Sequence, residues 1–205
     1  NQVKKETIKM KRIQKLTQYL TQDQTKAFVR VANSFQEKKL AFRKNNVLLC
    51  IKLQLYAGLR VQEALDLKPE DVVLGEGTKE IKVVQGKGNK DRIVPMASAV
   101  VDIISFINSY LKPKPNVPYI NFKTRKPVWE WYKKIGVEAG ITNFKGTHTL
   151  RHTFARNCLR NGVPINVLQN LLGHSSMQTT LEYLKINPSA EELNLAMDKI
   201  KEETE

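Results

Sequence analysis

Two cysteines and three histidines are all that 205 residues supply of the usual soft metal ligands, and neither CxxC nor HExxH occurs. A zinc site or metalloprotease centre is therefore not expected. Cys50 and Cys158 fall in apolar helical stretches and point to buried, reduced thiols in a cytoplasmic protein. There is no P-loop, so nucleotide-driven chemistry has no recognisable cradle. No uninterrupted apolar run approaches the ~18 residues of a membrane span. The polar start NQVKKETIKMKRIQK offers no apolar segment for a secretory leader. Internal repeats and low-complexity segments are missing too. Acidic residues are scarce beside basic ones: 34 Lys and Arg stand against 20 Asp and Glu, a net charge of +14. A surplus on that scale suits a polyanion, most simply nucleic acid gripped through its phosphates. No zinc finger or aromatic RNA-binding box stands out, so charge alone leaves DNA and RNA both open.

At 41% hydrophobic, the chain has material for one sizeable core. Residues 1–19 are basic (Lys4, Lys5, Lys9, Lys11, Arg12, Lys15) and read as a linker or arm. Thr21 with Gln24 fits a capping box, with Leu20 as its staple, so a helix is expected from there to about Gln36. Residues 40–57 are apolar nearly all round, the mark of a central buried helix, and Gly58 ends it. Arg60 then opens a short helix over 61–67. The alternating stretch 80–85, a turn Gly86-Lys87-Gly88-Asn89-Lys90-Asp91, and 92–95 read as a hairpin, to which 72–74 can add a strand. Val100, Ile103, Ile104, Ile107 and Leu111 keep the 3.6-residue period of an amphipathic helix. Pro113, Pro115 and Pro118 break 112–124 into a loop, and Pro127 opens a helix stopped by Gly140. Trp129 and Trp131 on it are expected in helix packing. Further helices are expected at about 147–161, 164–172 and 176–185. A last one from Pro188 carries the stripe Leu193, Ala196, Met197, Ile200. Its segment, 188–205, holds six carboxylates against two lysines and is not expected to lie on DNA. The fold class is mainly α with a small antiparallel β-sheet (α+β).

The densest chemistry lies in 147–183, THTLRHTFARNCLRNGVPINVLQNLLGHSSMQTTLEY. His148 and Arg151, three apart, share one face of a helix. His174 follows Gly173 at a helix end. Ser175 or Ser176 can cap the next helix, and Tyr183, nine residues past His174, stands two turns into it. Two imidazoles, a guanidinium and a phenol brought together suit holding a phosphodiester and attacking it. The diester is anionic and repels a nucleophile until its nonbridging oxygens are neutralised. Arginine suits that task because its planar fork stays charged and takes two oxygens at once. A phenol with a pKa near ~10 must shed its proton as it attacks. Arg60 is fixed by a glycine turn after the buried helix, and Glu63, three residues on, could orient it.

HTLRHTFA, LLGHSSMQTTLEY, YAGLRVQEAL and VVQGKGNKDRIVPM together resemble the signature boxes of the tyrosine recombinase (phage integrase, Xer-like) family, over roughly residues 20–185. The resemblance implies the family's catalytic-domain fold over 20–187. It also implies a site-specific DNA recombinase that cuts and rejoins duplex DNA through a 3′-phosphotyrosyl intermediate, without metal, ATP or any other cofactor. It maps the two phosphate-binding arginines onto Arg60 and Arg151, the mobile general-acid lysine onto Lys87, and the nucleophile onto Tyr183. His148 becomes a base or phosphate donor and His174 a donor to a nonbridging oxygen; which histidine takes the phenolic proton stays open. Lys90 and Arg92 are then DNA-backbone contacts or plain surface, with Lys11 and Arg12 as backbone candidates in the arm. The implied partners are double-stranded DNA of the nucleoid, a homo-tetramer assembled on it, and accessory DNA-bending or directionality proteins. The 188–205 helix could dock on a neighbouring protomer or in its own domain. Family members usually carry a core-binding domain ahead of the catalytic one, and here only a basic lead-in stands there, so a fragment or a short form is expected. Two other readings stay open. Intact Tyr183, Arg60 and Arg151 argue against a catalytically silent DNA-binding regulator. The tight spacing from LLGH to the tyrosine argues against a type IB topoisomerase-like nicking and closing enzyme.

Overall fold

The computed structural model describes residues 19–34, 41–84, 91–142 and 144–185, with backbone alone for 41–45 and 185. Lys11, Arg12, Lys87, Lys90, the arm ahead of residue 19 and the segment 188–205 lie outside the described residues.

Helix α1 (Gln22–Ser34) starts where its capping box sets it. The Thr21 amide donates to Gln24 Oε1 at 3.0 Å and the Gln24 amide to Thr21 Oγ1 at 3.2 Å. Helix α2 (Ala41–Tyr56) is the central one: Leu49, Cys50, Ile51 and Leu53 are buried on successive faces. It stops at Gly58, which has φ +64°, and a β-carbon there would meet the Phe154 ring at 2.4 Å. Both the left-handed backbone and the pressing ring demand glycine. Helix α3 (Val61–Asp66) and a 3-10 turn (Pro69–Asp71) lead into the sheet. Strands β1 (Val72–Gly75), β2 (Thr78–Val83) and β3 (Arg92–Pro95) form an antiparallel sheet in the order β1-β2-β3. Val72 stands opposite Ile81, and Ile81 opposite Val94. Ile81, Val83 and Val94 turn inward, while Val73 and Ile93 stay exposed, so one face of the sheet is applied to the core.

Helix α4 (Ser98–Leu111) buries Val100, Ile103, Ile104 and Ile107 of the expected stripe, while Leu111, its last residue, is exposed. The proline-broken stretch after it contains neither helix nor strand. Helix α5 (Arg125–Glu138) begins two residues ahead of Pro127, which sits in the first turn where its missing N–H costs nothing. Trp129 packs half-buried against Phe144, ring centroids 6.0 Å apart. Helices α6 (Thr149–Arg160), α7 (Ile165–Leu172) and α8 (Met177–Leu181) complete the order, followed by a 3-10 turn (Glu182–Lys185). Tyr183 is therefore not two turns into a helix. Helix α8 is five residues long, and the chain tightens into the 3-10 turn that carries the tyrosine.

A large core joins α1 to α5 and the sheet; a second cluster of Phe154, Ala155, Leu168, Leu172 and Tyr183 fills the angle of α6, α7 and the closing turn. Buried polar bonds fix the start of α6 between them. Gln54 of α2 donates to the Thr147 carbonyl at 2.9 Å and accepts from the Tyr132 hydroxyl at 2.7 Å. Thr153 accepts the Leu20 amide at 2.9 Å. Among the described residues no helix is long and apolar enough to cross a membrane.

Candidate active site

One carboxylate gathers three guanidinium groups. Glu63, 11% exposed, receives Arg60 Nη1 on Oε1 at 2.7 Å and the Arg60 amide on Oε2 at 2.7 Å. Arg92 grips both oxygens of Glu63, at 3.1 and 2.8 Å. Arg151 Nη1 lies 3.6 Å from Oε2. The same three arginines end on the last carbonyls of α7: Arg92 Nε donates to Leu171 at 2.8 Å, Arg151 Nη2 to Leu172, and Arg60 Nη2 to Gly173 at 3.2 Å. These carbonyls are the ones a helix end leaves without an intrahelical partner, and the helix dipole puts negative charge there. Arg151 Nη1 also donates to the Gly58 carbonyl at 2.6 Å. The fold thus spends Gly58 twice, on the Phe154 ring and on Arg151.

Burial alone would raise the Glu63 pKa, but the hydrogen bond and charge of Arg92, the Arg60 amide and the Arg151 charge together hold it at about 2. Burial, then the neighbouring Arg60 charge, pulls Arg151 down to about 9, still a cation at neutral pH. Three guanidiniums against one carboxylate leave a local positive surplus.

Arg92 corrects an expectation. Read as a DNA-backbone contact or surface residue, its side chain is 7% exposed and committed to Glu63 and the Leu171 carbonyl. Strand parity is the cause: Arg92 and the buried Val94 share the inward face of β3.

On the other side of the arginines stands His174. Its Nδ1 is 2.9 Å from Thr180 Oγ1 and its Nε2 3.4 Å from Arg151 Nη2. Burial, then the charges of Arg151, Arg60 and Arg92, lowers its pKa to about 4, so the ring is neutral at neutral pH. Tyr183 is 2% exposed, its ring parallel to that of His174 with centroids 6.4 Å apart. Burial pushes its phenol up to about 12, against the opposing pull of Arg151 and Arg60. The hydroxyl lies 2.7 Å from Nδ1 of His152. His148 is the residue just before the first turn of α6, exposed, with its ring 6.2 Å from that of His152.

Arg60, Glu63, Arg151 and His174 are thus in direct contact, Tyr183 packs against His174, and His148 stands at the rim. His152 is the member that sequence reasoning passed over, although it lies inside HTLRHTFA. The available signal was its place one turn after His148, on the same helix face. Among the described residues, no group of three or more His, Cys, Asp or Glu could hold a metal ion. Burial raises the thiols of Cys50 and Cys158 to about 12 and about 11, which makes them poor nucleophiles.

The family model of the phage integrase family matches residues 18–190. Tyrosine recombinase XerA of Pyrococcus horikoshii is 36% identical over 198 residues, which covers 91% of this chain and 62% of that protein. Among solved structures, XerA recombinase aligns with a TM-score of 0.70 at 30% identity, over 88% of this chain and 64% of that one. The site-specific recombinase XerH, in a pre-cleavage complex with its difH substrate, aligns with a TM-score of 0.69 at 25% identity, over 82% and 50%. The chain therefore spans less than two thirds of the length of each of these proteins.

Proposed function

This chain belongs to the phage integrase family, and on that premise we propose that it is the catalytic domain of a site-specific tyrosine recombinase, cutting and rejoining duplex DNA through a 3′-phosphotyrosyl link to Tyr183. The observation that carries the reading is the convergence of Arg60, Arg151 and His174 beside a buried phenol, with positive charge left over once Glu63 is counted. Arg60 and Arg151 take the nonbridging oxygens of the scissile phosphate, where charge grows during attack. Neutral His174 can donate from Nε2 once Nδ1 accepts from the Thr180 hydroxyl, 2.9 Å away, and Nε2 turns from Arg151 Nη2, 3.4 Å away, to the phosphate. Tyr183 forms the new bond to phosphorus and the 5′ oxygen departs, protonated by Lys87 in the family's pattern. Glu63 and Arg92 hold the arginines in place. Since the diester energy is kept in the protein–DNA link, the freed 5′ hydroxyl can reverse the step, and neither metal nor ATP is required.

The net charge of +14 suits a polyanion, the XerH relative is bound to its difH substrate, and duplex DNA is the polyanion of this reading. Four protomers assembled on two sites in the nucleoid, with accessory bending or directionality proteins, complete the reading. A covalent trap tests it. The chain is incubated with nicked and supercoiled duplexes, denatured in detergent, and examined for DNA-linked protein. Wild type should give an adduct that survives EDTA, and Tyr183→Phe should give none while binding DNA as before. An adduct in Tyr183→Phe would remove the assigned nucleophile, and an adduct lost to EDTA would remove the metal-free mechanism.

A further inference from the structure

The Tyr183 hydroxyl rests on neither histidine of the family pattern. It sits 2.7 Å from Nδ1 of His152. We propose that His152 is the general base for Tyr183. As the phenolic oxygen attacks, its O–H bond breaks and the proton passes to His152 Nδ1. The freed electron pair forms the bond to phosphorus, and the 5′ oxygen–phosphorus bond breaks, that oxygen taking its proton from the acid on the opposite side. The inference rests on the phosphodiester reading above and adds to it the acceptor of the proton.

Elimination supports the geometry. His174 has Nδ1 engaged by Thr180 and Nε2 directed at Arg151, and its ring lies parallel to that of Tyr183. It stands among three guanidiniums, which oppose any added positive charge, so it suits a donor and not a proton acceptor. His148 is exposed, its ring 6.2 Å from that of His152, which itself lies 5.7 Å from that of Tyr183. That order gives the proton a path outward: Tyr183, His152, His148, solvent.

The charged and titratable groups near His152, among the described residues, come from its own helix and from the closing turn. On its own helix they are His148, Arg151 and, one turn on, Arg156, whose guanidinium lies over the Tyr19 ring at 5.5 Å. The closing turn brings Tyr183, with buried Glu182 before it in the chain, and His174 lies beyond the tyrosine ring. To accept, His152 must be neutral with its hydrogen on Nε2. Once protonated, its Nδ1–H donates to the phenol, and attack stops. The cleavage rate should therefore fall on the acid side with one ionisation that belongs to His152.

Single-turnover cleavage of a nicked duplex across pH tests this with two variants. In His152→Asn the amide oxygen can replace Nδ1 as an acceptor without taking a proton. It should melt with wild type and bind DNA equally, yet cleave about 10²-fold or more slowly, the usual worth of a general base, and lose the acid limb. In His152→Gly, added imidazole should restore cleavage. A His152→Asn enzyme with the wild-type rate and pH profile would overturn the proposal. A readout free of cleavage is ¹⁵N NMR of the His152 ring, which should shift in Tyr183→Phe; an unmoved resonance would overturn the contact itself. Absence of any wild-type adduct would instead count against the recombinase reading, and the NMR result would then judge His152 alone.

Discussion

Arg60, Glu63, Arg92 and Arg151 come from three segments far apart in sequence and are fixed to one another by buried charge pairs. His174, Thr180 and Tyr183 come from one short stretch, closed by a five-residue helix and a 3-10 turn. The arginines are tied to a carboxylate, to the carbonyls of Leu171, Leu172 and Gly173 at the end of α7, and to Gly58. Among the described residues the tyrosine makes one hydrogen bond and packs in a small apolar cluster. Under the proposed mechanism the division has a chemical reason. Donors that stabilise developing charge work best when they need no rearrangement, whereas a nucleophile must be able to travel to its phosphorus. A rigid seat beside a lightly held phenol meets both needs.

The largest test of that contrast is Glu63→Ala. It strips the counter-charge from Arg92 and Arg151, whose side chains are 7% and 4% exposed, and should cost ~3–5 kcal/mol in urea unfolding, as breaking a buried pair does. Tyr183→Phe, which loses one hydrogen bond, should cost ~1 kcal/mol. Equal losses would erase the distinction between a locked half and a lightly held half. Gly58→Ala comes next, since Gly58 touches both halves through the Arg151 bond and the Phe154 ring. Its positive φ and the 2.4 Å clash should cost ~1–3 kcal/mol. A smaller side chain at Phe154 should return part of that loss in a double-mutant cycle; no recovery would put the whole cost in the backbone.

The two halves also differed in how far the sequence disclosed them. Arg60 and Arg151 were readable because each sits in a motif bounded by glycine or by histidine spacing. The clasp between Glu63 and Arg92 was not, because it depends on which face of β3 turns inward. In Arg92-Ile93-Val94 two adjacent apolar residues leave the parity ambiguous until the sheet is paired with β2. On the tyrosine side the residues were readable and their conformation was not. A helix of two turns was expected where Thr180 turns inward to His174 and the chain shortens to 3-10. His152 escaped notice because Arg151, its neighbour, carried the motif. The helices and the three-stranded sheet were recoverable from period, prolines and glycines; contacts between distant segments were not.

A smaller effect isolates the second imidazole. Thr180→Val keeps the volume of a buried residue but removes the partner of His174 Nδ1. If the hydroxyl sets the tautomer that donates to phosphate, cleavage should slow by about fivefold, the worth of ~1 kcal/mol, with little change in melting. A rate unchanged in Thr180→Val would mean that the Arg151 side alone orients the ring.

The smallest effect separates the halves along the pH axis. His174 is held at about 4 in the folded chain against an ordinary 6.5, so between those values the unfolded chain binds a proton that the folded one refuses. Its contribution is complete above about pH 6.5 and drains as pH falls toward 4. Glu63 is held at about 2 against 4.5, so its contribution is complete above about pH 4.5 and drains toward 2. Acid should therefore loosen the tyrosine half before the arginine half. The first step is modest, because His174 is only partly buried and solvent screens its neighbours. His148 and His152 are common to both proteins, so the difference between wild type and His174→Asn isolates the one ring. Urea midpoints should fall less for His174→Asn than for wild type in the upper window and in parallel in the lower. If the two proteins fall together throughout, neither burial nor the neighbouring arginines holds His174 below its ordinary value in the folded chain.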